Sequence, residues 1–200
     1  MKNTLYTLAL LVSFSSFGQT AKEYLKSGND KHYAKDYYGA IADYTKVIEL
    51  VPDDAAAYYN RGNSKRKLKD YYGAIADYTK AIELEPYYAE AHHFRGITKD
   101  FLKDYNGALS DYNKSIELDP NNAKAYYNRG RSKGELKDYY GAISDLTKAI
   151  ELDPYYGKAY YNRSVMKENL GDLNGACADA KKAVRLGVTN EAEWVANHCN

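Results

Sequence analysis

Histidine residues are the first candidates for metal binding or catalysis in this chain, and there are four of them. They stand at positions 32, 92, 93 and 198, and none lies in an HExxH or CxxC context. The adjacent His92 and His93 would point about 100° apart on a helix, which makes them poor partners in one metal site. The sequence shows no nucleophile elbow, phosphate-binding glycine loop or acid/base constellation. We therefore predict no enzyme activity and no catalytic, cofactor or metal site.

Charged side chains recur at a fixed spacing and could form a ladder for an anionic ligand. Basic residues stand at 61, 95, 129 and 163 (Arg) and at 65, 99, 133 and 167 (Lys), and aspartates stand at 43, 77, 111, 145 and 179. A ladder of arginines for phosphate or carboxylate is one interpretation. We favour ion pairs between helices, because a ligand ladder would not need an acid at the same spacing.

The elements that position these residues follow the same interval. The prolines lie 34 residues apart, at 52, 86, 120 and 154, and 34 is the period of a helix-turn-helix solenoid. Five units in register follow, at 21–54, 55–88, 89–122, 123–156 and 157–190. Each unit is predicted to form a first helix of about 14 residues and a second helix of about 12 residues. The second helix is expected to end before the proline of its unit. No strand-type alternation occurs, so the predicted fold class is all-α.

The turn between the two helices of a unit has its own recurring sequence, KDYYGA or KDYNGA. Its aspartates are expected to cap the second helices, and they stand at 36, 70, 104, 138 and 172. Glycines and alanines recur at positions where they would let two helices approach closely. Large side chains are expected to fill the matching holes from the second helix: Tyr44, Tyr78, Tyr112 and Leu146.

Segments such as AYYNRGNSKRKLKDYYGAIADYTKAIELEP (57–86) resemble tetratricopeptide repeats. The resemblance extends over residues 21–190 and implies an α-solenoid of five repeats. The last unit departs from the pattern at Ser164, Ala180 and Val188, as terminal repeats commonly do. We expect one repeat domain at 19–200, closed by a short capping helix within 191–200.

In tetratricopeptide arrays the first helices line a groove that binds peptides, and the resemblance therefore implies a protein or peptide partner. Tyrosine offers rigid contact area at low entropic cost, and asparagine offers both a donor and an acceptor to a peptide backbone. The predicted groove residues are Tyr59, Asn60, Asn63, His93, Tyr127, Asn128, Arg131, Tyr161 and Asn162. The alternative, that the rings only cover neighbouring helices, stays open.

Some members of the family grip the C-terminal carboxylate of a peptide with a clamp of lysine, asparagine and arginine. Only fragments of that clamp are present here. Asn63, Lys124, Asn128 and Lys158 match single positions, whereas Tyr59, His93, Phe94, Ile97 and Asn162 occupy others. A partner of the chaperone-tail kind is therefore disfavoured.

The first 18 residues lie outside the repeat pattern and resemble a secretory signal. Lys2 precedes an apolar stretch at 5–12, and Ser16 and Gly18 are the small residues that a signal peptidase requires. The apolar stretch is shorter than the roughly 20 residues of a membrane span. A membrane anchor and a disordered tail are the alternatives to the predicted signal peptide at 1–18. The leader and the FGQ junction resemble those of exported Bacteroidetes-type proteins, so we expect a periplasmic or secreted location.

Removal of that leader lowers the formal net charge from +1 to 0, because the leader holds one lysine and no acid. A neutral chain with interleaved acids and bases lacks the clustered positive charge that binds nucleic acid or anionic membranes. We expect no nucleic-acid partner and no membrane insertion after cleavage.

The two cysteines, Cys177 and Cys199, are expected to form a disulfide that fastens the capping helix to the last repeat. An oxidising compartment favours such pairing, whereas a buried free thiol is the alternative. The predicted function is an exported scaffold for protein or peptide binding. An accessory or assembly module of an envelope enzyme or secretion complex is the alternative.

Overall fold

The computed structural model describes residues 20–189 and 192–199. The predicted signal peptide and its cleavage site lie outside the described residues. Within the described ranges the regular structure is helical and contains no strand, which confirms the all-α prediction. None of the helices in these ranges has the length and apolar character of a membrane span.

The chain divides into two compact units, Met1–Thr98 and Lys99–Asn200. The N-terminal unit holds helices α1 (20–33), α2 (Tyr37–Leu50), α3 (Ala55–Lys67) and α4 (Tyr71–Leu84), and most of α5 (Ala89–Phe101). The C-terminal unit holds α6 (Tyr105–Leu118), α7 (Ala123–Glu135), α8 (Tyr139–Leu152), α9 (Gly157–Asn169), α10 (Leu173–Arg185) and α11 (Ala192–His198). Helices that follow one another within a unit pack against each other, as in α2 to α4 and in α6 to α11.

Each second helix begins directly after its capping aspartate, as predicted. In α4 the backbone N–H of Gly73 donates to the Asp70 carboxylate at 3.0 Å. The same bond links Asp36, Asp104, Asp138 and Asp172 to the glycine three residues later. A Cβ at Gly73 would overlap that carboxylate. The recurring glycine therefore makes room for the cap, and not for a neighbouring helix as expected.

This cap also corrects the predicted helix lengths. Because the tyrosines of KDYYGA already belong to the helix, α4 has 14 residues, whereas the first helix α3 has 13. The lysine before the cap adopts a left-handed backbone, with φ of 64° at Lys69. In the last repeat Gly171 takes this position with φ of 80°, a conformation that costs glycine little.

Large side chains of the second helices fill holes left by glycines of the first helices, which confirms the predicted packing. Tyr78 is fully buried, and a Cβ at Gly62 would stand 2.9 Å from its ring. Gly28 accommodates Tyr44 in the same way, and Gly130 accommodates Leu146. The spacing of the repeat thus fixes how the two helices of one unit approach each other.

The end of the C-terminal unit carries the short helix α11, which packs against α10. The Cα atoms of Cys177 and Cys199 lie 5.4 Å apart, with their sulfur atoms at bonding distance, so a disulfide is possible here. The Lys181 ammonium also donates to the Cys199 carbonyl at 2.6 Å. Trp194, on α11, donates to Glu168 of α9 at 3.3 Å.

Candidate functional site

The recurring charges form ion pairs between the two helices of a unit. Asp77 is buried, and its carboxylate accepts from the Arg61 guanidinium at 2.8 and 3.0 Å and from the Lys65 ammonium at 2.8 Å. The Arg61 guanidinium also lies over the ring of Tyr58. Asp145 and Asp179 have the same arrangement with their arginine and lysine. The structural interpretation of the ladders is confirmed, so these cations are already engaged within the fold.

A cleft of about 170 Å³ lies on the first helices of the N-terminal unit. We call it the N-terminal cleft, and its lining residues are Asn29, His32, Tyr33, Tyr44, Tyr59, Asn60 and Asn63. Three of the predicted groove residues, Tyr59, Asn60 and Asn63, therefore come together here. Asn29, His32 and Tyr33 of α1 complete the cleft.

Two asparagines of the N-terminal cleft accept hydrogen bonds from buried tyrosines. The Tyr44 hydroxyl donates to Asn29 Oδ1 and the Tyr78 hydroxyl donates to Asn63 Oδ1, both at 2.8 Å. Burial raises the pKa of Tyr44 to about 12. These hydroxyls therefore stay protonated and remain donors. As a result, each asparagine keeps its amide nitrogen as the group that can donate to something else.

His32 contributes a third hydrogen-bonding group to this cleft. Its Nδ1 lies 2.8 Å from the Ser64 hydroxyl oxygen, and that hydroxyl donates to the Asn60 carbonyl at 3.1 Å. A hydroxyl has one proton, so Ser64 accepts from His32 Nδ1 when it donates to Asn60. Burial, with Lys67 and Arg66 nearby, lowers the pKa of His32 below its usual 6.5. This shift favours the neutral imidazole at pH 7.

Tyr59 is half-buried and packs against other rings. Its ring centroid lies 4.9 Å from that of Tyr88 and 5.9 Å from that of Phe94. Burial raises the pKa of Tyr59, and a hydrogen bond from Asn63 opposes that shift. Tyr59 therefore covers neighbouring helices, and its contact with a partner stays a prediction.

A second cleft, of about 220 Å³, lies in the C-terminal unit. We call it the C-terminal cleft, and its lining residues are Arg131, Gly134, Glu135, Lys137, Tyr139, Asn162, Met166 and Asn169. Two predicted groove residues, Arg131 and Asn162, belong to it. In contrast to the N-terminal cleft, it presents charged groups of both signs.

Tyr127 lies beside this cleft and resembles Tyr59 in its packing. Its ring centroid is 4.8 Å from that of Tyr156, and its hydroxyl accepts from Asn162 Nδ2 at 3.2 Å. The Arg131 guanidinium lies 6.0 Å from the ring centroid. Tyr127 thus holds Asn162 in place while it covers α9, and its contact with a partner is also still a prediction.

The remaining predicted groove residues are differently placed. His93 is buried, with 5% of its surface exposed, and this leaves little of it for a partner. Asn128 and Tyr161 are half-buried and lie outside both clefts. Each stays a prediction, but the two clefts identify more accessible candidates.

Asp100 is a half-buried acid that sequence reasoning missed. Its carboxylate accepts from the Tyr112 hydroxyl at 2.7 Å and from the Ser132 hydroxyl at 2.7 Å. Burial raises the pKa of Asp100 above 3.8, although both hydrogen bonds oppose the shift. The equivalent positions in the other repeats hold His32, Arg66, Gly134 and Glu168, so each repeat has a different residue type there. The period therefore gave no signal there. Asn29, one period before Asn63, did carry such a signal.

Metal binding has no geometric support in the part of the chain that the structure describes. No group of three or more histidine, cysteine or acidic side chains gathers there in a metal-binding arrangement. The two clefts instead present amides, hydroxyls and single charges. Such groups are suited to hydrogen bonding with a partner.

Comparison with known proteins shows the repeat family. Models of the tetratricopeptide repeat match residues 55–88, 123–156 and 157–186, and a TPR repeat model matches 28–68 and 102–137. Together these matches cover 28–88 and 102–186. No curated protein matches the chain.

Solved structures of similar fold include MamA and YrrB. A MamA crystal structure is 25% identical, covers 88% of this chain and 96% of its own, and has a TM-score of 0.78. MamA from Desulfovibrio magneticus RS-1 is 22% identical, covers 85% and 96%, and has a TM-score of 0.79. YrrB, described as a TPR protein with an unusual peptide-binding site, is 23% identical, covers 86% and 92%, and has a TM-score of 0.73. On the repeat models and this shared fold, the chain belongs to the tetratricopeptide repeat family.

Proposed function

We propose that this chain is an interaction scaffold that binds a protein or peptide through its two clefts, in an exported compartment. The observation that carries the proposal is the N-terminal cleft, where amide groups and an imidazole converge beside the half-buried ring of Tyr59. A small number of precisely placed polar groups is what orients a ligand in a binding site. Rigid rings also cost little entropy when a partner covers them.

The family supports this reading of the clefts. Tetratricopeptide repeat proteins generally act as scaffolds and not as enzymes, and YrrB is described as having a peptide-binding site. The proposal therefore includes no catalytic step. The balanced ion pairs of the repeats also leave no cluster of unpaired cations among Arg61, Arg129 and Arg163. This favours a peptide over a nucleic acid as the partner.

The exported setting rests on residues 1–18 and on the two cysteines. The leader has the basic, apolar and small-residue regions of a secretory signal. A disulfide between Cys177 and Cys199 would persist in an oxidising compartment. Mass spectrometry of the protein from its native host should give a chain that begins at Gln19. A chain that retains Met1 to Gly18 would overturn the exported setting but not the scaffold.

Co-purification from the native envelope, with the wild type as bait, tests the scaffold directly. Asn60→Ala and Arg131→Ala change one lining residue of each cleft, and Asn106→Ala changes an exposed asparagine on α6. We expect at least one cleft variant to recover about tenfold less partner, since interface anchors are worth about 1 to 2 kcal/mol. The Asn106→Ala control should match the wild type.

The outcomes of this experiment separate the candidate functions. Equal recovery of the same partner by all three variants would show that binding uses another surface. Recovery of an envelope enzyme or of secretion components would favour the accessory-module alternative. In that case the clefts would identify where the larger complex contacts the scaffold.

A further inference from the structure

We infer that the N-terminal cleft binds the primary carboxamide of an asparagine or glutamine side chain on the partner. This inference deepens the proposed function and rests on it, because it names the chemical group that one cleft selects. It starts from the hydrogen-bonding groups that the fold leaves unused at Asn29, His32 and Asn63.

The buried tyrosines determine which groups the asparagines present. Asn29 and Asn63 each spend their oxygen on a tyrosine hydroxyl at 2.8 Å. Asn63 also lies close enough to the Tyr59 hydroxyl to lower its pKa, and that contact can engage one N–H. An amide nitrogen carries two N–H groups, so at least one N–H of each asparagine has no partner among the described residues. The cleft therefore offers two fixed donors.

His32 supplies the complementary acceptor. When Ser64 donates to the Asn60 carbonyl, His32 Nδ1 donates to Ser64, and Nε2 of the neutral ring then carries a lone pair. Nε2 makes no hydrogen bond to the residues that the structure describes. A primary carboxamide satisfies this set, because its oxygen accepts from asparagine N–H groups while its NH2 donates to the imidazole. A carboxylate has only acceptors and would face that lone pair.

The size and charge of the cleft favour the same group. At about 170 Å³ it is smaller than the roughly 300 Å³ at which pockets for whole ligands begin, so it takes one side-chain group. None of its lining residues carries a formal charge when His32 is neutral. A charged group would lose its hydration there without contacting an opposite charge.

A carboxylate is the competing ligand, because Arg66 and Lys67 lie close enough to influence His32. Arg66 stacks over Phe94, with its guanidinium carbon 5.1 Å from the ring centroid, and does not line the cleft. Its charge could nevertheless attract an anion. The experiment must therefore compare a carboxamide with its carboxylate isostere.

The probes are N-acetyl-asparagine N-methylamide and its aspartate and alanine analogues, titrated into the uniformly ¹⁵N-labelled chain at pH 7. We expect the asparagine probe to shift the side-chain NH2 signals of Asn29 and Asn63 in a saturable way. The aspartate probe should bind about tenfold more weakly, as expected for one lost hydrogen bond. The alanine probe, which has only backbone amides, should give no saturable shift.

A matched pair of variants localises the binding. Asn29→Asp keeps an oxygen that accepts from Tyr44 and replaces the NH2 group with an anionic oxygen, so the hydrogen bond to Tyr44 should survive. We expect it to bind the asparagine probe about tenfold more weakly. Asn106→Asp makes the same change on the exposed surface of α6 and should leave binding unchanged.

Several results would overturn the inference. These are no saturable binding of the asparagine probe, equal or tighter binding of the aspartate or alanine probe, and unaltered binding by Asn29→Asp. If no probe binds but the wild type still recovers its partner, the scaffold stands and only the carboxamide specificity falls. If the probe binds but no partner is recovered, the proposed function falls instead.

Discussion

The two clefts differ in charge, and the cause lies in the side chains buried beneath them. In the N-terminal unit the second helix inserts Tyr78, whose hydroxyl needs an acceptor, and Asn63 supplies it. In the C-terminal unit the equivalent of Tyr78 is Leu146, which has no hydroxyl, and Arg131 stands at the position of Asn63. Where Tyr78 is buried, its hydroxyl is therefore matched by a neutral acceptor at the position of Asn63. Because the aliphatic Leu146 has no hydroxyl to satisfy, the equivalent position can hold the charged Arg131.

Tyr112 shows a third solution to the same requirement. Its hydroxyl donates to Asp100, which also accepts from Ser132. The acceptor here comes from a different position of the repeat and carries a charge, so burial raises its pKa. Repeats that share the same helix-turn-helix backbone can therefore present different surfaces to a partner, because each repeat satisfies its buried hydroxyl with a different acceptor.

The ion pairs should behave alike in both units and give the largest effect. Asp77→Ala and Asp145→Ala each leave an arginine and a lysine without their carboxylate. We expect each to lower the free energy of unfolding by about 3 to 5 kcal/mol, because the cations remain partly buried. Urea denaturation, monitored by circular dichroism, measures the free energy of unfolding of each variant. A large difference between the two variants would show that the units do not share this support.

A disulfide at the end of the C-terminal unit would stabilise that unit covalently. If Cys177 and Cys199 pair, a closure over 22 residues should stabilise the folded state by about 3 kcal/mol. Exported protein should then show no free thiol when denatured without reductant, and reduction should lower its melting temperature. The double variant Cys177→Ser, Cys199→Ser is the control, since reductant should not affect it. Two free thiols in exported protein would contradict the bridge.

The contrast between Asn63 and Arg131 can be tested by giving both the same side chain. Asn63→Leu should cost about 2 kcal/mol, because the Tyr78 hydroxyl loses its acceptor inside the protein. Arg131→Leu should change stability by less than about 0.5 kcal/mol, since Leu146 needs no partner. Denaturant midpoints measure both variants.

A double-mutant cycle adds the control for that pair. In the Tyr78→Phe background no hydroxyl is present, so Asn63→Leu should cost much less than in the wild type. If the cost stays the same, the hydrogen bond does not explain why asparagine stands at this position. The comparison between the clefts would then lose its physical basis.

The smallest expected effect is the contribution of Asp100 to the pH dependence of stability. Its folded-state pKa is raised by burial, so the folded chain binds this proton more tightly than the unfolded chain does. The stability contributed by Asp100 should therefore increase as pH falls through its folded pKa towards 3.8. Asp100→Asn removes this gain.

Urea midpoints from pH 7 to about pH 4 measure the difference between the wild type and Asp100→Asn. The wild type should gain stability relative to the variant as the pH falls. Asp53→Asn, at an exposed position, is the charge-matched control. An opposite slope would mean that the hydrogen bonds from Tyr112 and Ser132 outweigh burial.

Much of this architecture could be predicted from the sequence, because it repeats. The period, the caps such as Asp70 and the ion pairs such as Arg61 with Asp77 follow from residue types at a fixed interval. These features are local, or they join two helices of one repeat. A pattern with a single period therefore specifies them fully.

Only the tertiary structure decided which residues form the clefts. The N-terminal cleft joins Asn29 and His32 of α1 to Asn60 and Asn63 of α3, across two repeats. His32 and Asp100 occupy a position that holds a different residue type in each repeat. The role of such a residue depends on what the neighbouring repeat places opposite it, here Ser64 or Ser132. Sequence spacing determines the scaffold, but the hydrogen bonds between repeats determine what its surface can bind.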